Sequence, residues 1–299
     1  MKTSTLLIGA AISHVATSIA TMDPWGSIKT STPQTCPPRP KYDPCEIIRH
    51  MTSIYRILIG LGPLANSSVV FPPPKGNTLD FSHIPSHVDT DPRVVALMEK
   101  LPVVTESGMG ILPGMEAVNF LDPSQMRLAR MVDMRNYDYD LMGGEGAIWG
   151  LPTTVTLLRG DHEVVPVLVL DVADNTIRKI GDVEYLEDEY TRHERNQTRL
   201  DDHRYDFYNW PAMSAPEYLV EVIIKFLSTT WFPDYSGMVF SLHEWEEEEM
   251  IEKRRLLREV YGWPEMFREE DWKREVQKQP EVDMDEVESD WLEESIKNW

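Results

Sequence analysis

The chain has 299 residues and 34.5 kDa, with 41% hydrophobic and 26% charged residues, so it holds enough apolar side chains for a core and is not a wholly disordered polymer. Fifty acidic against 29 basic residues give a net charge of −21; such a chain repels phosphate backbones, and no nucleic-acid partner is expected. Two cysteines supply neither a disulfide scaffold nor a four-cysteine zinc site.

Residues 1–20 read as a secretory signal: Lys2 gives the positive start, Leu6 to Ile12 the apolar stretch, and Ser18-Ile19-Ala20 the small residues of a cleavage site. His14 interrupts the apolar run, and Met22 is an alternative start that would leave the protein cytoplasmic. No segment approaches the roughly 20 apolar residues of a membrane span. Residues 21–42, rich in Pro, Ser and Thr, are expected to form a flexible leader. In an exported chain Cys36 and Cys45 would be bridged, and Asn66-Ser67-Ser68 and Asn196-Gln197-Thr198 are glycosylation sequons.

Helix signals begin at Asp43-Pro44-Cys45-Glu46, an N-cap acceptor followed by Pro at the first helical position. Ile47, Met51, Ile54, Tyr55 and Leu58 then recur at helical spacing, and Gly60 and Gly62 end the run. The same grammar at Asp91-Pro92 opens a helix over Val94 to Leu101, and at Asp122-Pro123 one over Met126 to Met134. Ser214-Ala215-Pro216-Glu217 starts a fourth helix with Tyr218, Val222, Ile223, Phe226 and Leu227 as its buried stripe. Thr153, Val155 and Leu157 alternate as in a strand, and Val164 to Leu170 is a second, at an edge or bulged at Pro166. Asp171 to Asn175 turns the chain into Thr176 to Ile180, which makes an antiparallel hairpin. A polar surface insertion is expected over 182–213. A helix over Leu242 to Tyr261 follows, with Glu249 and Lys253 as an i,i+4 pair and Met250, Leu257, Val260 and Tyr261 on one face. The order predicts an α+β domain over 43–275, helices packed on a small antiparallel sheet with a central hairpin, and an acidic tail over 276–299.

Few residues suggest chemistry. His83, His87 and Asp89 lie in the densest set of metal-capable side chains, but Pro85 opposes the helix that would bring the imidazoles together, and solvated loop histidines are the simpler reading. His193-Glu194 and Asp201-Asp202-His203 fall in the most polar stretch, where charge usually marks a solvated face. Gly143-Gly144-Glu145-Gly146 lacks the Lys and Ser/Thr of a phosphate loop, and no Gly-x-Ser-x-Gly or His-Glu-x-x-His pattern occurs. No cofactor is expected. Trp245, Trp263 and Trp272 stand among acids, and two readings are open for them: large side chains closing a core, or anchors of a partner surface.

Residues 184–299 hold 31 acidic and 14 basic residues, net −17, against −4 for residues 1–183. The helix over 43–61, the Phe71-Pro72-Pro73-Pro74 segment, the strand Val167 to Asp171 with its turn, and Tyr261-Gly262-Trp263-Pro264-Glu265-Met266-Phe267 occur in that order. Together they resemble a family of uncharacterised filamentous-fungal proteins. The hairpin followed by the helix from Pro216 is similar, more loosely, to the SMI1/KNR4-like fold. That resemblance implies architecture and a bias towards binding, and transfers no active site. The function expected is therefore a non-enzymatic binding or accessory protein whose acidic C-terminal half meets a basic protein or peptide. The alternatives are a small-molecule or metal-dependent enzyme of a fungal secondary-metabolite pathway, with His83, His87 and Asp89 as candidates, and a secreted effector-like protein.

Overall fold

The computed structural model describes residues 42–106, 108–130, 149–160, 167–180, 210–233, 237–241 and 248–276. The leader with Cys36, the sequon at Asn196, most of the polar insertion, the glycine run at 143–146, Pro166, Trp245 and the tail beyond Val276 lie outside the described residues.

Local sequence dictates where the helices start. α1 (Pro44–Leu61), α2 (Pro92–Met98) and α3 (Pro123–Ala129) each place Pro in the first turn behind an aspartate whose carboxylate accepts a backbone N–H: Asp43 from Cys45 at 2.9 Å, Asp91 from Arg93 at 2.8 Å, Asp122 from Ser124 at 2.8 Å. These bonds satisfy donors the helix cannot satisfy itself. α1 buries Ile47, Met51, Ile54, Tyr55 and Leu58, the expected stripe, and each fully buried Ile or Leu stabilises the fold by about 1.5–3 kcal/mol. Gly62 alone ends it, at φ +102° with its N–H on the Leu58 carbonyl; Gly60 remains inside the helix.

The described residues also form ten short strands. β1 (Val69–Val70) pairs with β2 (Val103–Val104). β3 (Gly110–Leu112), β4 (Met115–Ala117), β5 (Thr154–Gly160), β6 (Val167–Asp171), β7 (Thr176–Ile180) and β8 (Met213–Ser214) form one antiparallel sheet in chain order, a six-stranded meander. β6 and β7 are the expected hairpin, in register from Val167 opposite Ile180 to Asp171 opposite Thr176. The expected insertion ends early: Trp210 is buried against Val167, Val169 and Ile180, and Met213 belongs to β8, because apolar residues at the end of a polar segment find the uncovered face of the hairpin.

α4 (Ala215–Leu227) leaves β8 directly and packs beside α1. Its buried stripe is Ala215, Tyr218, Leu219, Val222 and Phe226; Ile223 and Leu227, expected on it, sit half-buried at its edge, a rotation of about one residue. β9 (Trp231–Pro233) and β10 (Val239–Ser241) form a hairpin that abuts β3, where the Gly110 N–H donates to the Gly237 carbonyl at 3.2 Å. A Cβ on Gly110 would lie 2.9 Å from the Val239 nitrogen, so only glycine permits this approach.

α5 (Glu248–Arg255) runs into a π-helical turn over Leu256–Val260, and α6 (Glu269–Val276) closes the structure. The π turn corrects the expected face. Met250 and Leu257 are buried as expected, but the extra residue rotates Val260 to 43% exposure, and buried Lys253 takes the stripe instead. Lys253 Nζ donates to the Pro233 carbonyl at 3.2 Å and lies 5.2 Å from the centre of the Phe232 ring. The Glu249 side chain, its expected partner, lies outside the described residues. The fold is α+β, with α1, α4 and α6 around one large apolar core on one face of the sheet. Among the described residues no helix is long and apolar enough to cross a membrane.

Candidate functional site: a polar cleft beside the sheet

β4 alternates. Met115 and Ala117 point into the main core, so Glu116 between them points to the opposite face. Across the strand pair Glu116 stands opposite Arg159 of β5. Simple alternation through Val155 and Leu157 would put Arg159 on the core face. A β-bulge between Thr156 and Leu158 prevents this: Leu157 is the extra residue, Leu158 enters the core opposite Leu168, and Arg159 is re-aimed beside Glu116. Arg159 Nη2 then lies 3.3 Å from Glu116 Oε2.

This pair lines a cleft of about 250 Å³, together with Val104, Thr105, Glu106, Met109, Ala117, Asn119, Asp122 and Gln125. The helix start at Asp122-Pro123 places the last of these: Asp122 caps α3 and Gln125 sits one turn in, its Oε1 accepting from the Asn119 N–H at 2.9 Å. Asn119 Oδ1 accepts from the Leu121 N–H at 2.9 Å. Both amide oxygens are thus committed to the backbone, and the amide NH₂ groups of Asn119 and Gln125 have no partner among the described residues. The cleft carries three carboxylates, on Glu106, Glu116 and Asp122, against one guanidinium. Its volume lies below the several hundred Å³ of a drug-sized ligand site and suits one side chain or one small polar molecule.

Arg130, at the end of α3, holds the helix in place. Its Nη1 donates to the Thr154 carbonyl, and its Nη2 to the Leu151 carbonyl at 3.1 Å and the Asp89 carbonyl at 3.2 Å. Burial pushes its pKa down to about 10, which leaves it charged at neutral pH.

The residues singled out from sequence fall elsewhere. His83 and His87 are exposed on turns and Asp89 is exposed beside them, its carbonyl rather than its carboxylate making the Arg130 contact. His83 Nδ1 lies 3.5 Å from Ser124 Oγ. Among the described residues no group of three His, Cys, Asp or Glu side chains could hold a metal ion, and His83, His87 and Asp89 stand exposed in the loop around Pro85. Cys45 is exposed in the first turn of α1. Asn66 is exposed on a short 3₁₀ turn, with Ser68 of its sequon buried.

Trp263 and Trp272, for which a core and a partner surface were both open, are 4% and 1% exposed and belong to the core. Trp272 Nε1 donates to the Leu61 carbonyl at 2.9 Å, and its ring meets Phe232 and Tyr261 edge-on at 6.3 and 5.4 Å. Trp263 Nε1 donates to the Leu227 carbonyl at 3.1 Å and packs edge-on to Phe267 at 4.9 Å. Each indole closes an apolar gap while its N–H satisfies a carbonyl at the end of a helix, which explains why these large side chains occur among acids.

Sequence reasoning missed Glu116, Arg159 and Gln125. The signal available was the consecutive pair Leu157-Leu158 before Arg159, which breaks strand alternation and marks a bulge. Comparison with protein-family models, with curated proteins and with solved structures finds no match to this chain.

Proposed function

We propose that this protein is a non-enzymatic binding or accessory protein that engages a basic protein or peptide. The observation that carries the reading is the partition of charge. Residues 250–276 hold seven acidic and seven basic residues, and many of them pair with one another: Arg255 with Glu252 and Glu259, Lys273 with Glu269, Arg274 with Asp271. The acid excess of the back half therefore stands on either side, sixteen acidic and five basic residues in 184–249 and eight acidic and two basic in 277–299. Negative charge with no counterpart in its own segment raises the local concentration of basic partners and speeds their encounter. The resemblance to a group biased towards binding supports the same reading.

The experiment is equilibrium binding of the full chain to a fluorescent hexalysine at low and high salt. The expected result is binding that weakens steeply with salt, since the Debye length falls from about 10 Å at 0.1 M to about 3 Å at 1 M. Deleting residues 281–299 removes eight acids and one Lys, a change of +7, and should weaken binding further without lowering the melting temperature. Absence of binding at low salt, or binding indifferent to salt, overturns the proposal.

A further inference from the structure

We infer that the cleft between β4, β5 and the start of α3 is a specific site for a single basic side chain, lysine or arginine, presented by a peptide. The inference rests on the reading that the partner is basic, and it adds a shaped site in the front half to the diffuse charge of the back half. Glu116 is 8% exposed and lines the cleft, yet only its Oε2 is engaged, by Arg159; Oε1 has no hydrogen-bond partner among the described residues. Solvent in the cleft reaches that oxygen, and a cationic donor that enters replaces water there with a charge-assisted hydrogen bond.

The rest of the lining selects the donor. Three carboxylates against one guanidinium leave the cleft negative, which favours a cation over a neutral donor. Glu106 is exposed at the rim, where it meets the incoming charge. The NH₂ groups of Asn119 and Gln125 stand beside the carboxylates as donors, and a bare ammonium or guanidinium offers them no acceptor. A basic residue within a peptide brings both, its cation for the carboxylates and its flanking main-chain carbonyls for the two amides. The volume of about 250 Å³ admits one such side chain.

The test uses the full chain with hexaarginine, hexalysine and the neutral, fully Nε-acetylated hexalysine. The charged peptides should bind and the acetylated one should not. Glu106→Gln and Glu116→Gln should each weaken binding about fivefold or more, the loss of one hydrogen bond to a charged group. Arg159→Gln should act in the opposite direction and tighten binding, because it frees Oε2 of Glu116; a variant that merely loosens the fold would not bind better. Glu106→Gln, at an exposed position, should leave the melting temperature unchanged. If Glu106→Gln and Arg159→Gln bind like the unaltered chain while loss of residues 281–299 still weakens binding, the cleft has no part in recognition and the inference falls, though the proposed function stands. If neither charged peptide binds, both fall.

Discussion

The C-terminal helical layer and the cleft handle charge in opposite ways. In the layer formed by α5, the π turn and α6, residues 248–276, nine acids stand against seven bases, and several pairs one helical turn apart neutralise each other at the surface, while Trp263, Trp272 and Lys253 turn inward. In the cleft, one guanidinium stands with three carboxylates, and Oε1 of Glu116 has no donor among the described residues. Charge paired within a helix is a device of solubility and modest stability. Charge left unmatched in a cleft has no such use, and on that ground we propose the region for recognition.

The comparison can be broken most severely at Trp272. If the layer is structural, Trp272→Ala removes a fully buried indole and the donor to the Leu61 carbonyl, and should cost about 3–5 kcal/mol in denaturant unfolding. A loss under about 1 kcal/mol would return Trp272 to a surface role. Gly110→Ala should cost about 2–3 kcal/mol, because its Cβ would press on the backbone of Val239 and part β10 from β3, next to the cleft; an unchanged unfolding midpoint would mean that this contact is not made.

The pH response comes next in size. Burial, with Arg49 adding to it, holds the His50 imidazole below its usual range. As pH falls through the ordinary value near 6.5, the unfolded chain takes up the proton first, so stability declines with acid across that window. His50→Phe should flatten the change in urea midpoint between neutral and mildly acidic pH; an unchanged slope would assign it to other groups. The smallest effect belongs to the surface pairs. Lys273→Gln, which breaks the 2.7 Å pair with Glu269, should change stability by less than about 0.5 kcal/mol, and a larger loss would show that the layer depends on its ion pairs.

The difference between the two regions also explains what could be read from sequence. The three Asp-Pro helix starts, the α1 stripe and the β6–β7 hairpin were legible because each is settled by residues a few positions apart. The cleft was not. Glu116 and Arg159 are 43 positions apart, and their meeting depends on one bulged residue at Leu157. The tryptophans stayed open between two readings for a related reason: Trp272 finds its carbonyl 211 positions away on Leu61, and the acids around it in sequence say nothing of that contact. Val260 was misplaced because a π turn adds a residue to the helical period, a change that no periodicity count over a regular helix includes. The strands β1 to β4, of two or three residues each, are too short for alternation to register.

The central claim is that the cleft receives positive charge from a partner. It is tested most directly by the side-chain amide resonances of Asn119 and Gln125 in the full chain, followed while hexaarginine is added. If the cleft is the site, both NH₂ groups shift in a saturable manner, with the same midpoint as the binding curve, and neither moves when the peptide is replaced by its citrulline counterpart. If hexaarginine binds and only resonances of residues 184–249 or 277–299 respond, recognition lies in the acidic segments alone and the account of the cleft is contradicted.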